Sequence, residues 1–151
     1  MTQPWNIVGL FCEDIREEKT GHTLLGIFPD NMNVASLPGA LPKLGIYIRC
    51  HIDPLLEIKS LSAKLRFVDG EETQLASFDE ATIKKTQADT REKGTPLAGF
   101  IMLAVAMMVQ IKAAGRLLVI VNVGDTEILA GSLNIEVDPA SLAATASPPP
   151  S

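Results

Sequence analysis

Apolar and polar residues alternate with a period of two along much of this chain, the pattern of strands that bury one face. The clearest case is Leu44 to Ile52. Leu44, Ile46, Ile48, Cys50 and Ile52 alternate with Gly45, Tyr47, Arg49, His51 and Asp53, and Pro54 stops the run. One wet face marks an antiparallel sheet. Ser60 to Val68 repeats the pattern, with Leu61, Ala63, Leu65 and Phe67 inward and Ser62, Lys64 and Arg66 outward. It ends at Asp69-Gly70, a hairpin turn, and Thr73 to Phe78 is the return strand. Asn6 to Asp14 is apolar on both faces, Val8, Leu10 and Cys12 on one and Ile7, Gly9 and Phe11 on the other, so it is predicted to be covered on both sides. The loop Glu17 to Gly21 leads to a second strand over Thr23 to Phe28, closed by Pro29-Asp30-Asn31. Met32 to Ala35 is a candidate short strand, and Ser36 to Lys43, with Pro38, Gly39 and Pro42, reads as a crossing loop.

The second half is less regular. Asp79 to Thr95 is polar and aperiodic, a loop that a short helix over Glu80 to Lys85 would shorten. Phe100 to Ile111 is apolar at every phase, so periodicity alone does not separate helix from strand. Its hairpin-like spacing from the strands Leu117 to Val123 and Ile128 to Val137 favours strand. The count is seven to nine strands without alternating helices. That predicts an all-β, antiparallel two-sheet β-sandwich, immunoglobulin-like, over residues 1–138. The Cys-Trp-Cys order of antibody domains is missing, because Trp5 precedes both cysteines. Residues 139–151 are rich in Ala, Ser and Pro and read as a flexible tail.

Several stretches resemble a family of small uncharacterised bacterial proteins, a domain of unknown function. They are Leu10-Phe11-Cys12-Glu13-Asp14-Ile15-Arg16-Glu17-Glu18, Leu24-Leu25-Gly26-Ile27-Phe28 and Leu41-Pro42-Lys43-Leu44, with a looser likeness at Gly131-Ser132-Leu133-Asn134-Ile135. The resemblance is strongest in the first third of the chain, while Asp79 to Thr95 and Phe100 to Ile111 look particular to this sequence. It implies a β-rich fold and carries no activity or functional residues.

Composition narrows the partners. The net charge of −5 gives no basic footprint for a phosphate backbone, so nucleic acid is not expected. Leu97 to Ile111 is too short to span a bilayer as a helix, and the N-terminus does not read as a signal peptide. The chain is expected in the cytoplasm. Cys12 and Cys50 both lie in apolar stretches and read as reduced, buried thiols, with a Cys12–Cys50 bridge as the alternative.

Chemistry is sparse. Cys50 and His51 are strand neighbours pointing to opposite faces, so they cannot form a nucleophile pair. No glycine-rich phosphate loop or nucleophile elbow occurs, and the two cysteines and two histidines lack zinc-ligand spacing. No catalytic residue, metal or cofactor is assigned. Glu13, Asp14, Glu17 and Glu18 crowd one hairpin with Asp30 nearby, which raises a calcium- or ligand-binding sandwich, C2-like or cadherin-like, as the alternative function. Asp14 shares the phase of Val8, Leu10 and Cys12 and needs a partner, so a structural ion pair with Arg16 or Arg49 is expected.

The preferred reading is a non-enzymatic interaction or structural module that associates with itself or with a protein partner. Its contact surface is predicted on the two-sided apolar strand, with Phe100, Met102, Leu103, Met107 and Met108 as interface residues.

Overall fold

The alternating segments pair as their patterns require. The computed structural model describes residues 3–139. In chain order it contains β1 (Trp5–Glu18), β2 (Gly21–Ile27), β3 (Asn31–Val34), β4 (Gly39–Ile52), β5 (Leu61–Arg66), β6 (Glu72–Phe78), α1 (Glu80–Lys93), β7 (Ala98–Ile111), β8 (Gly115–Val123) and β9 (Thr126–Val137). The strands form two stacked sheets, β2-β1-β4-β7 and β3-β9-β8-β5-β6. The fold is an all-β sandwich. Its core is built from the inward phases, with Leu44, Ile46, Ile48 and Ile52 of β4 facing Leu61, Leu117, Val119, Leu133 and Ile135.

Four expectations are corrected. β1 was expected to be covered on both sides, but Val8 and Leu10 of its outer face are exposed because no third layer lies over that sheet among the described residues. The sandwich is not purely antiparallel, because β3 runs parallel to β9, Met32 opposite Ile135. The stretch 36–43 is a crossing loop only in its first half. From Gly39 onward it is strand, paired with the end of β7 at Gly39–Ile111 and Leu41–Val109. The helix predicted over Glu80 to Lys85 extends to Lys93. Asp79 caps it by accepting from the Thr82 N–H at 2.8 Å. Gly94 ends it at φ 71°, a left-handed conformation that glycine adopts without strain. Of the predicted tail, only Pro139 lies within the described residues.

α1 seals one end of the sandwich. It turns Ile83, Gln87 and Thr90 inward. The buried Gln87 amide donates to the carbonyls of Asp53 (3.2 Å) and Leu56 (2.7 Å), and Arg91 donates to the carbonyl of Pro54 at 2.6 Å. Phe78 of β6 meets Phe100 of β7 edge to face at the same end, ring centroids 5.4 Å apart.

Candidate functional site

The two sheets present unlike faces to the outside. The face of β5, β6, β8 and β9 is laced with charge. Lys64 Nζ lies 2.7 Å from Glu127 and 3.1 Å from Glu72, and Arg66 lies 2.7 Å from Glu72 and 3.3 Å from Glu127. The other outer face is aliphatic. The ladder sets Val8, Arg49 and Ile101 in one row across β1, β4 and β7, and Leu10, Tyr47 and Leu103 in the next. Val105 follows beside Gly45, and Met107 beside Lys43. Val8, Leu10, Ile101, Leu103, Val105 and Met107 are all exposed. The far end of the β1–β2 hairpin closes over part of this face. His22 stands 6.1 Å from the Tyr47 ring, and Ile15 and Cys12 crowd Gly45 so closely that a Cβ there would meet the Cys12 sulfur at 2.8 Å.

β7 is an edge strand, and its two faces have different fates. Phe100 and Met102 were expected in a contact surface, but they point into the core, at 3% and 2% exposure. Strand alternation puts them opposite in phase to Leu103 and Met107, so one face cannot hold all four. Leu103, Met107 and Met108 are exposed as an interface would require. Met107 and Met108 are neighbours that both face outward, because the strand changes phase there. Met108 has φ 51°, a left-handed conformation that costs a non-glycine residue about 1–3 kcal/mol. Beyond it Val109 and Ile111 turn inward, and on β4 Leu41 does the same before Pro42.

This change of phase borders a cavity of about 530 Å³ between β6 and β7, at the end opposite α1. Ile46, Leu65, Leu75, Ala106, Val109 and Leu117 line its interior. Asp69, Glu71, Gln110 and Lys112 stand at its mouth. Lys112 Nζ lies 3.0 Å from Asp69 and 3.5 Å from Glu71. The N–H of Glu71 and the Lys112 ammonium hold the Asp69 carboxyl below the usual carboxylate range.

The expected ion pair forms with Arg16 and not with Arg49, and Lys43 joins it as the closer partner. Asp14 accepts from Lys43 at 2.8 Å, and Arg16 lies farther off at 3.9 Å. Arg49 is not part of it. Its guanidinium donates to His51 Nε2 at 3.2 Å. Sequence reasoning missed Lys43 because it assigned that residue to a loop; as a strand residue on β4 it stands beside β1. The hydrogen bond from Lys43 pulls the Asp14 carboxyl below its ordinary range. Cys12 and Cys50 are free and buried, and burial pushes the Cys50 thiol up to about 12. Among the described residues no three His, Cys, Asp or Glu side chains gather into a group that could hold a metal ion, and no helix is long and apolar enough to cross a membrane.

A family profile described as a family of unknown function (DUF6941) matches residues 7–136. The chain belongs to that family. No curated protein matches it. The DUF6941 match is wider than the resemblance read from the first strands, for it takes in α1 and β7, the two segments that looked particular to this sequence. The open face and the cavity of this DUF6941 chain both lie within the matched residues. The signal for the open face was the doubly apolar strand. The cavity had none, because its lining comes from β4 to β8, which are brought together only by the stacking of the sheets.

Proposed function

We propose that this DUF6941 chain is a non-enzymatic interaction module that pairs with a second copy of itself, outer face to outer face, through the β2-β1-β4-β7 sheet. The supporting observation is the row of Ile101, Leu103, Val105 and Met107 left exposed beside Val8 and Leu10, while the opposite sheet carries a solvated ion-pair network. Stacked sheets are a natural way to bury such a face. Arg49 borders the patch at one end and the Asp14–Lys43 pair at the other. The cytoplasm, where free thiols stay reduced, suits the two buried cysteines.

Light scattering over a range of concentrations tests the proposal. The expected mass is twice the 16.2 kDa of the chain. Leu103→Lys and Met107→Lys are expected to return it to the mass of one chain with an unchanged circular dichroism spectrum. A wild-type protein that stays monomeric at every concentration would defeat the proposal and leave a foreign protein as the occupant of the face.

A further inference from the structure

We infer that the cavity between β6 and β7 binds one elongated aliphatic molecule whose polar end is uncharged or cationic. Its volume of about 530 Å³ falls within the range of about 300–1,000 Å³ typical of small-molecule sites. Three features of the fold create it. α1 fills only the opposite end of the sandwich, through Ile83 and Gln87. Ala106 contributes a methyl group where its ladder partner Leu44 contributes a full side chain. The change of phase at Met108 then turns Val109 and Ile111 toward the space. Ile46, Leu65, Leu75 and Leu117 complete an aliphatic wall, which offers water few hydrogen-bond partners and an alkyl chain continuous dispersion contact.

The mouth selects the head group. Asp69 and Glu71 supply two carboxylates against the single ammonium of Lys112. The rim is therefore net negative and repels an anionic head. A hydroxyl can accept from Lys112 and donate to a carboxylate, and an ammonium can share the carboxylates with Lys112. Alkyl alcohols and alkylamines fit; fatty-acid anions do not.

Titrating the full chain with decan-1-ol, decylamine and decanoate at pH 7 tests this, followed by calorimetry and by amide chemical shifts. The alcohol and the amine are expected to saturate one site per chain and to shift the amides of Leu65, Leu75 and Ala106. Decanoate is expected to bind about tenfold more weakly or not at all. Ala106→Phe, which fills the cavity, is expected to abolish binding while keeping the circular dichroism spectrum, and Leu75→Trp serves the same purpose if the first variant does not fold. No saturable binding by any probe, undiminished binding in a folded cavity-filled variant, or shifts confined to Ile101 and Leu103 on the open face would overturn the inference. Tightest binding by decanoate would overturn the head-group assignment. Shifts at the lining amides that follow protein concentration without any probe would assign the cavity to a second copy and also overturn it.

Discussion

A Cβ placed on Gly131 would stand 2.7 Å from the carbonyl oxygen of Gly9, so β1 and β9 meet backbone to backbone across the sandwich. Glycine is needed there because of that approach. At one edge β6 and β7 touch through Phe78 and Phe100 and part toward the cavity mouth. The sheets therefore meet closely at β1 and β9, each the second strand of its sheet, and stand open at a corner of the β6–β7 side. Gly131→Ala is expected to lower stability by about 1–3 kcal/mol through overpacking. Gly21, where an added Cβ meets nothing within 4 Å, is the control and is expected to change stability by less than about 0.5 kcal/mol. Urea denaturation midpoints check both.

Two methionines on one strand separate core from face. Met102 is 2% exposed and Met107 65%. At a protein concentration where the chain is monomeric, Met102→Ala is expected to cost about 2–5 kcal/mol, whereas Met107→Ala should stay within about 0.5 kcal/mol. Equal costs in denaturant titrations would contradict the phase of β7. It follows that Met102→Asp reports on folding, and only substitutions such as Met107→Lys report on association.

The Asp14 carboxyl titrates below its ordinary value because Lys43 and the Ile15 N–H bond its charged form. A carboxyl depressed in the folded state contributes stability that is present above the unfolded pKa of about 3.9 and is lost as pH falls through the folded value. Asp14→Asn is therefore expected to flatten the acid limb of the stability profile. In a carbon-detected titration, Lys43→Met should move the Asp14 midpoint upward, and Arg49→Met should leave it in place. An upward move with Arg49→Met would restore Arg49, one of the two partners expected for Asp14 from the sequence.

Burial raises both thiol pKa values, that of Cys50 to about 12. The thiolate is the reactive form, and little of it is present at pH 8. A thiol reagent at that pH is expected to leave Cys12 and Cys50 untouched in the folded protein and to titrate both in denaturant without reductant. A zero count in denaturant would reveal a Cys12–Cys50 bridge.

Gln87 ties α1 to the sandwich through the Asp53 and Leu56 carbonyls. Gln87→Met keeps the side-chain length and removes both donors. The Asp53 carbonyl keeps the Leu56 N–H at 3.0 Å, and the loss of the bond to the Leu56 carbonyl is expected to cost about 1–3 kcal/mol, read as a shift of the denaturation midpoint.

β5 and β4 from Leu44 onward were legible in the sequence together with their core phases, because alternation is a property of the extended backbone and needs no partner to be visible. Leu44, Ile46 and Ile48 point inward in the pattern and in the structure alike. The sequence also marked β7 as apolar on both faces. Which of those faces is the core was not legible, because that depends on which sheet lies above the strand. The full length of α1 was illegible for a related reason. Its buried stripe is Ile83, Gln87 and Thr90, and two of those three are polar residues that become interior only through contacts with distant backbone or their own helix. The partner of Asp14 followed from Lys43 joining β4, and the parallel β3–β9 pairing from a chain that crosses between sheets. The cavity belongs wholly to the tertiary structure. It is the space that stacked sheets enclose where a small side chain, a change of phase and an unsealed end coincide, and no local pattern of residues encodes that coincidence.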